Sequence, residues 1–251
     1  MKPKEILFET LEGNKSERTP WVPFVGCHGG KLIDVEAETY LKNEDLLVQG
    51  ISKAIELYEP DGIPIIFDLQ VEAEILGCDL QWNKDNPPTV VGHPLNEGKT
   101  LDDFQIPEKD EGRFPTILNA MNRINDTYGD EIGLYGLITG PFTLGLHLMG
   151  SSIFMEIFDN PDNVIELMNF TKEVAKKTAE LYIEAGMDVI AVVDPMTSQI
   201  SPTDFAKIVK PAVKEVFEHI NECGAYSSFF VCGNAKQNIE EMCKSNPDNI
   251  S

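Results

Sequence analysis

The sequence predicts an α/β protein built on a parallel β-sheet, and three observations lead to this fold class. Short apolar runs alternate along the chain with longer segments in which apolar residues recur at helical spacing. The runs are almost continuously apolar, as strands are when both faces of a parallel sheet are covered. The chain has 251 residues without repeats or a linker, which is the usual size of one (β/α)8 barrel. We therefore expect a single domain over residues 1–251.

Five apolar runs and the start of a sixth are the candidate strands. Most of them end at glycine, aspartate or proline, which are residues that terminate strands and form turns. In chain order the runs comprise residues 21–25, 62–67, 133–138, 188–193 and 226–232, and the sixth begins at residue 249.

Helices are predicted between these strands. Residues 43–58 carry apolar side chains on one face behind an Asn cap, and two later helices begin with a cap residue followed by proline, at Asn160 and Ser201. Pro211 lies inside the last of these helices and predicts a kink. The other predicted helices cover residues 4–11, 114–128, a segment opening at 151 or 152, and 238–243, while residues 76–110 are predicted to be a loop with a small hairpin near 89–91.

Charge and composition exclude several classes of partner. Acidic residues outnumber basic ones by 42 to 20, and the net charge of −22 repels nucleic acid and anionic membranes, because phosphate binding requires clustered Lys and Arg. The uncharged stretch from Ile132 to Met155 is long enough to span a bilayer, but its five glycines and central proline indicate a buried strand, a turn and a buried helix. Five cysteines without a CxxC pair, and no apolar signal region at the N-terminus, predict a cytoplasmic protein with reduced thiols.

Reactive side chains follow several predicted strands at the point where the strand ends. They are Cys27 and His28 after the first run, Asp68 after the second, Asp194 after the fourth and Cys232 at the end of the fifth. In parallel α/β proteins the carboxyl ends of the strands meet at one edge, where functional residues gather. We therefore expect these side chains to lie around a common cleft.

Several sequence blocks near these strand ends resemble the uroporphyrinogen decarboxylase family. The blocks are Arg18-Thr19-Pro20, Ile66-Phe67-Asp68 followed by Val71-Glu72-Ala73-Glu74-Ile75-Leu76-Gly77-Cys78, Gly140-Pro141-Phe142-Thr143-Leu144, Asp194-Pro195 with Ile200-Ser201-Pro202, and Val231-Cys232-Gly233-Asn234. They follow the family's order along essentially the whole chain. They look closest to the branch of corrinoid-dependent methyltransferases, the methylcobalamin:coenzyme M methyltransferases and their relatives.

The resemblance implies a (β/α)8 TIM barrel of the uroporphyrinogen decarboxylase type, with its cleft at the strand carboxyl ends. Because the strand count reaches five units and the start of a sixth, we expect the barrel to be incomplete, with its C-terminal part missing. The resemblance also implies methyl transfer between a small thiol, methyl ether or methylamine and a corrinoid cofactor carried by a partner protein. Related barrels often pair, which implies a homodimer. Two alternatives stay open, namely a decarboxylase of another acid and a non-catalytic barrel relative.

Two departures from the family pattern bear on this expectation. Residues 26–31 contain one lysine and no arginine, whereas true decarboxylases carry an arginine-rich motif there that holds the carboxylates of a porphyrinogen. The methyltransferases usually have His-x-Cys at the end of strand five, which supplies two zinc ligands. This chain has Phe230-Val231-Cys232 instead. The resemblance places the third zinc ligand, a cysteine late in the barrel, beyond residue 251. Either another side chain replaces the missing histidine, for which His28, Cys27 and Glu74 are the candidates, or this relative works without that zinc.

The resemblance and the strand ends together supply the candidate site residues. Asp68, Glu74 and Asp194 are the candidate catalytic carboxylates, since a carboxylate at the mouth of an apolar barrel can orient or protonate a substrate. The candidate substrate-binding residues are Cys27, His28, Glu72 and Phe142, and the candidate metal ligand is Cys232.

Each of these assignments has a structural alternative. Asp68 and Asp194 could instead cap the turns that follow their strands. One of Glu72 and Glu74 could be a solvated acid favoured by a helix N-terminus. Cys232 could be a plain buried cysteine that behaves as a small apolar residue.

Overall fold

The computed structural model describes residues 1–251, in which one five-stranded parallel sheet carries most of the helices on one face. The strands are β1 (Gly62–Pro64), β2 (Leu80–Gln81), β3 (Thr89–Val90), β4 (Gly133–Thr139), β5 (Val189–Val193), β6 (Tyr226–Phe230) and β7 (Asn249–Ile250). The helices are α1 (Pro3–Leu11), α2 (His28–Lys31), α3 (Ala37–Leu41), α4 (Glu44–Tyr58), α5 (Val71–Ile75), α6 (Phe114–Tyr128), α7 (Pro141–Met149), α8 (Ile153–Asp159), α9 (Pro161–Glu184), α10 (Pro202–Asp204), α11 (Lys210–Glu222) and α12 (Ile239–Lys244).

The strands of the main sheet follow the order β1-β4-β5-β6-β7, and every neighbouring pair is parallel. Helices connect each strand to the next, so all carboxyl ends lie at the same edge of the sheet. Strands β2 and β3 form a separate antiparallel hairpin in the long segment between α5 and α6. The prediction of an α/β fold with a parallel sheet is therefore confirmed.

Side chains on β4 and β5 alternate between two separate apolar clusters. One face contributes to a core of 54 buried residues shared with the helices, through Leu134, Ile138, Ile190 and Val192. The other face forms a cluster of six buried residues, namely Leu7, Tyr135, Leu137, Val189, Ala191 and Val193. This alternation follows from the two-residue period of a strand, and it explains why the sequence of both strands is apolar at every position.

The prediction of a first strand over residues 21–25 is wrong. The segment has no sheet pairing, and its one backbone hydrogen bond toward the sheet is the Asp61 N–H donating to the Trp21 carbonyl at 2.9 Å. Pro20 and Pro23 have no N–H to donate to a ladder, and the Val25 N–H bonds locally to the Pro23 carbonyl. The sheet consequently has five strands, although six were predicted.

Other predicted elements occur with shifted ends. The hairpin near residues 89–91 is β2–β3, and the run at residue 249 is β7, which pairs with β6. The uncharged stretch of residues 132–155 folds as β4, α7 and the start of α8. No helix in the chain is both long and apolar enough to cross a membrane.

The helix predicted after Ser201 is interrupted near Pro211, as expected. A π-helical turn, Phe205–Val209, separates α10 from α11, and Pro211 is the second residue of α11. Proline cannot donate a backbone hydrogen bond to the preceding turn, so the regular α-helical ladder restarts there. Ser201 is the predicted cap and accepts a hydrogen bond from the Asp204 N–H at 3.2 Å.

The Arg-Thr-Pro block lies at the amino end of the sheet. Both terminal nitrogens of Arg18 contact the buried carboxylate of Asp61 at 2.5 and 2.6 Å, and the Trp21 N–H donates to the same carboxylate at 2.8 Å. Asp61 immediately precedes β1. The block therefore attaches the N-terminal segment to the sheet, away from the strand carboxyl ends.

Candidate active site

A cleft of about 550 Å³ opens at the carboxyl end of β1. Its walls come from the turn leading into α2, from the residues that follow β1, and from the long segment between β2 and β3. The predicted residues Cys27 and His28 line it, together with Phe67 and Gln70 on either side of Asp68. The expectation of a cleft at this edge of the sheet therefore matches the structure.

Asp68 lies beneath the floor of this cleft and is 3% exposed. Its Oδ2 contacts Arg113 Nη1 at 2.7 Å, and its Oδ1 accepts a hydrogen bond from the Gln70 N–H at 2.9 Å. The amide orientation of Gln70 is assigned from its neighbours, which are both acceptors; with the nitrogen turned toward them, it donates to the same Oδ1 at 2.8 Å and to the Pro88 carbonyl at 3.3 Å. Asp68 thus fixes the conformation of a residue that does line the cleft.

Arg113 joins two of the predicted catalytic carboxylates. Besides Asp68 it contacts Glu74, whose Oε2 lies 2.6 Å from Arg113 Nε. Its guanidinium is buried and lies 5.0 Å from the ring centroid of Trp82, at the end of β2. Burial raises the pKa of Asp68, and the charge of Arg113 opposes that shift. Asp68 and Glu74 therefore belong to one ionic cluster, in which Asp68 and Arg113 are buried and Glu74 is half-buried.

The backbone at Gly112 explains how Arg113 reaches this cluster. Gly112 has φ +51°, and a β-carbon there would lie 2.5 Å from Ile75 Cγ1 on α5. A residue other than glycine would meet both strain and a clash, so glycine at this position allows the close approach to α5. Sequence reasoning missed Arg113 because it belongs to no strand end. The available signal was a Gly-Arg pair directly before the predicted helix of residues 114–128.

Glu72 does not reach the cleft. It is fully buried, and its Oε1 accepts a hydrogen bond from the Thr139 N–H at 3.0 Å, while its Oε2 lies 2.8 Å from Thr139 Oγ1. Thr139 Oγ1 also lies 2.9 Å from the Leu69 carbonyl. Burial raises the pKa of Glu72. The carboxyl group links the segment after β1 to the end of β4.

Asp194 also faces the protein interior. Its carboxylate accepts hydrogen bonds from the N–H of Phe142 at 3.1 Å and from the N–H and hydroxyl of Thr143 at 2.8 and 2.6 Å. These amides belong to the first turn of α7, where a negative charge is stabilised by the helix dipole. Burial raises the pKa of Asp194 to about 6. The structure therefore places Asp194 as a cap that joins β5 to α7.

Phe142 lies among the helices. It is completely buried, and its ring packs against Phe154 of α8 with centroids 6.1 Å apart. Like Glu72 and Asp194, it is absent from the walls of the cleft. The sequence predicted substrate contact for Phe142 and Glu72 and catalysis for Asp194, whereas all three lie behind the cleft wall.

Cys27 and His28 differ in what surrounds them. The Cys27 thiol is buried, and burial raises its pKa to about 11, so it is protonated at neutral pH. His28 is exposed, and its Nε2 lies 2.6 Å from the hydroxyl of Tyr58, at the end of α4. The Tyr58 ring in turn makes an edge contact with Trp21. His28 is therefore the accessible, oriented imidazole of the cleft.

An aromatic cluster that the sequence did not predict lies beside the cleft. Phe24, from the segment before α2, packs against Phe230 with ring centroids 4.8 Å apart and against Phe67 at 5.8 Å. Phe24 lines the cleft and also a second cavity of about 470 Å³, which Tyr135 and Phe230 line as well. Phe230 stands where the related methyltransferases usually have histidine, and here its ring packs into this apolar wall.

The residues around Cys232 do not fit a zinc site. Cys232 is exposed beyond the end of β6, and no group of three His, Cys, Asp or Glu side chains within residues 1–251 is arranged to hold a metal ion. A catalytic zinc needs about three protein ligands. Of the three proposed substitutes, His28 pairs with Tyr58 and Glu74 pairs with Arg113. The third, Cys27, is buried, and burial raises the pKa of its thiol to about 11. The side chains of residues 1–251 therefore do not supply a zinc site at Cys232.

Comparison with known proteins identifies the family. The family model described as uroporphyrinogen decarboxylase (URO-D) matches residues 2–251. The chain is 27% identical over 257 residues to methylcobamide:CoM methyltransferase MtbA of Methanosarcina mazei, covering 99% of this chain and 75% of that protein. It is 25% identical over 251 residues to MtaA of Methanosarcina barkeri, covering 95% and 72%. It is also 26% identical over 195 residues to uroporphyrinogen decarboxylase of Wolbachia sp. subsp. Brugia malayi, covering 76% and 54%.

A solved structure has the same fold. A methyltransferase from Methanosarcina mazei superposes with a TM-score of 0.91 and 23% sequence identity, over 100% of this chain and 76% of that one. The TIM-barrel type of fold expected from the resemblance is thereby confirmed. The chain belongs to the uroporphyrinogen decarboxylase family.

Proposed function

We propose that this protein transfers a methyl group between a small substrate, which is a thiol, a methyl ether or a methylamine, and a corrinoid carried by a partner protein. Its similarity to methylcobamide:CoM methyltransferases extends over nearly the whole chain. The small number of cationic side chains in the cleft wall also supports this proposal. Lys31 is the one lysine of the cleft wall and lies 3.4 Å from Asp85, and the wall contains no arginine.

This charge distribution favours methyl transfer over decarboxylation of a porphyrinogen. A substrate with many carboxylates requires several free cations, and an overall charge of −22 increases that requirement. Arg113 lies below the cleft but already contacts Asp68 and Glu74. A small neutral or singly charged substrate suits the site better.

His28 is the side chain that we assign to proton transfer. Methylation of a thiol releases the thiol proton, and demethylation of an ether or amine leaves an oxygen or nitrogen that needs one. Imidazole is the side chain that most often exchanges protons near neutral pH. His28 lines the cleft, and Tyr58 orients its ring through Nε2.

The other predicted residues receive supporting roles in this proposal. Cys27 contributes a neutral thiol to the wall, and Asp68 orients Gln70 from below. Asp194 and Glu72 fix the segments that end at the cleft, since each bonds to a neighbouring strand or helix end. The partner that carries the corrinoid would approach the cleft at the carboxyl ends of the strands, where these segments meet. We further propose that the protein acts in the cytoplasm and forms a homodimer.

A decarboxylase of another acid is the second candidate. It requires a cation next to a buried carboxylate, and Arg113 beside Asp68 is such a pair. The 26% identity to a uroporphyrinogen decarboxylase also favours this class. A small monocarboxylic acid would fit the single lysine of the cleft wall.

Methyl-transfer assays test the first candidate. The purified protein is incubated with methylcobalamin and a panel of thiols, and in the reverse direction with methyl ethers or methylamines and reduced cobalamin. Formation of methylated or demethylated product is measured by mass spectrometry. We expect turnover with at least one substrate, and a loss of about 10²-fold in kcat/KM for His28→Gln, as for removal of a general acid or base.

The matched control is His219→Gln. His219 lies on α11, pairs with Glu180 at 2.8 Å and is not part of the cleft wall, so its removal should leave turnover unchanged. Product formation from none of these substrates would refute methyl transfer. Release of carbon dioxide from a small carboxylic acid, lost in Asp68→Asn, would support the second candidate instead.

A further inference from the structure

The buried guanidinium beneath the cleft makes a set of contacts that no strand-end motif accounts for. Arg113 Nη1 and Nε contact Asp68 and Glu74 at 2.7 and 2.6 Å, and the ring of Trp82 covers the guanidinium. Arg113 is 7% exposed, and its Nη2 has no acceptor among the protein atoms. We infer that Arg113 is a positioning residue, which holds Asp68 ionised and oriented so that Asp68 fixes Gln70 at the cleft wall.

The two oxygens of Asp68 have different partners. Oδ2 faces Arg113 Nη1, and Oδ1 receives both the backbone N–H and the side-chain amide of Gln70. An ionised carboxylate only accepts hydrogen bonds, so it suits three donors. Rotation of the carboxylate would break the contacts on both sides at once. The conformation of Gln70 therefore depends on Arg113 through Asp68.

The charges around Asp68 make Arg113 the group that keeps it ionised. Burial disfavours the charged carboxylate, and Glu74 on α5 adds a second negative charge nearby. The other titratable groups that face this cluster are Glu72, Cys27 and Tyr182, which are all acids and supply no positive charge. Arg113 is the cation in contact with Asp68. Without it, the carboxylate would bind a proton.

Trp82, from the segment between α5 and α6 that contains the hairpin, covers the guanidinium of Arg113. The Trp82 ring centroid lies 5.0 Å from Arg113 Cζ. Lys42 Nζ lies 3.9 Å from the centroid of the same ring. Covering a charge pair with an aromatic ring excludes water and strengthens the electrostatic interaction beneath it.

The ionisation of Asp68 can be measured without any enzymatic assay. The protein is labelled with ¹³C at the aspartate carboxyl carbons, and the Asp68 signal is assigned by its loss in Asp68→Asn. Its pH titration is then followed by NMR in the wild type, Arg113→Met and Arg113→Lys. We expect the midpoint to rise by about one pH unit or more in Arg113→Met, because an opposite charge at this distance lowers a carboxyl pKa by that amount. The lysine variant should give an intermediate midpoint.

Glu74→Gln is the complementary variant and also serves if Arg113→Met fails to fold. It removes the negative charge beside Asp68 and keeps the side-chain shape, so the Asp68 midpoint should fall. An unchanged Asp68 midpoint in folded Arg113→Met would overturn the inference. An unchanged midpoint in Glu74→Gln, if the Arg113 variants do not fold, would overturn it as well.

The consequence for turnover rests on the proposed function and is measured separately. In the wild type the acidic limb of the kcat/KM profile should follow the Asp68 midpoint, and in Arg113→Met this limb should shift to higher pH by the same amount. Absence of methyl transfer in the wild type would refute the proposed function and leave the NMR result standing. Normal turnover with an unmoved NMR midpoint would refute the role of Arg113 and leave the function standing.

Discussion

Asp194 Oδ1 accepts two hydrogen bonds from Thr143, one from the backbone N–H at 2.8 Å and one from the hydroxyl at 2.6 Å. A third donor, the Phe142 N–H, reaches Oδ2 of the same carboxylate at 3.1 Å. The residue that follows β5 thereby caps the helix that follows β4. Gly140 makes this contact feasible, since a β-carbon there would collide with the Asp194 side chain. Asp194, which the sequence predicted to be catalytic because it follows a strand, therefore connects the end of β5 to the start of α7.

Asp194→Asn should lower stability and remove part of its pH dependence. Burial raises the folded-state pKa of Asp194 to about 6, above the ordinary value of 3.8. The stability that this group contributes is therefore full below about pH 4 and is lost as the pH rises through about 6. The difference of about two pKa units corresponds to roughly 3 kcal/mol.

Urea unfolding between pH 4 and pH 8 measures this effect. At pH 7 the asparagine variant should lose about 1–3 kcal/mol, because its amide group would face a backbone donor. Its unfolding free energy should also decline less steeply than that of the wild type as the pH rises from 4 to 6. Identical pH slopes for the two proteins would contradict the assignment of a raised pKa.

Glu72→Gln should leave stability nearly unchanged. The single hydroxyl proton of Thr139 cannot serve both the Leu69 carbonyl and Glu72 Oε2, which lie 2.9 and 2.8 Å from its Oγ1. All contacts are satisfied if Glu72 is protonated and donates to Thr139, in agreement with its raised pKa. Glutamine presents one donor and one acceptor in the same places. We expect a change within about 1 kcal/mol in urea unfolding at pH 7.

Thr139→Val provides the comparison for Glu72. It removes the hydroxyl and leaves a buried carboxyl group without one partner, so it should cost about 1–3 kcal/mol. A cost of several kcal/mol for Glu72→Gln, larger than that of Thr139→Val, would mean that Glu72 is ionised in the folded protein.

Arg18→Met should lower the melting temperature by roughly 5 °C, because it leaves the buried Asp61 carboxylate without its bidentate partner. Arg123→Met is the matched control. Arg123 likewise makes two contacts with carboxylate oxygens, one to Glu44 and one to Asp45. These contacts lie on the exposed surface, where such pairs contribute little to stability. Equal shifts in differential scanning calorimetry would show that the Arg18 contact is not special.

Zinc content tests the conclusion about Cys232. The protein purified without chelator should hold well below one zinc per chain by elemental analysis, and Cys232→Ala should not change that content, because no other ligand is grouped with Cys232. About one zinc per chain, lost in Cys232→Ala, would contradict the conclusion that the residues around Cys232 do not fit a zinc site.

The candidate site was predictable where side chains follow a strand directly. Asp68 follows β1 and lies under the cleft, because parallel strands bring their carboxyl ends to the same end of the sheet. Cys27 and His28 also line the cleft as predicted, although the segment before them is not a strand. The pattern could not distinguish a side chain that points into the cleft from one that caps a neighbouring unit. Asp194 illustrates this, since its role depends on the backbone amides of α7, which lie 51 and 52 residues earlier in the chain.

The sequence by itself determined the alternation of strands and helices, the parallel sheet and the family, because apolar periodicity, glycine and proline positions and local motifs are properties of short segments. Only the tertiary structure decided that residues 21–25 stay outside the sheet and that Arg113 joins Asp68 to Glu74. These outcomes depend on which distant donors and charges are available once the chain is packed. Contacts of that kind leave no periodic signal in the sequence.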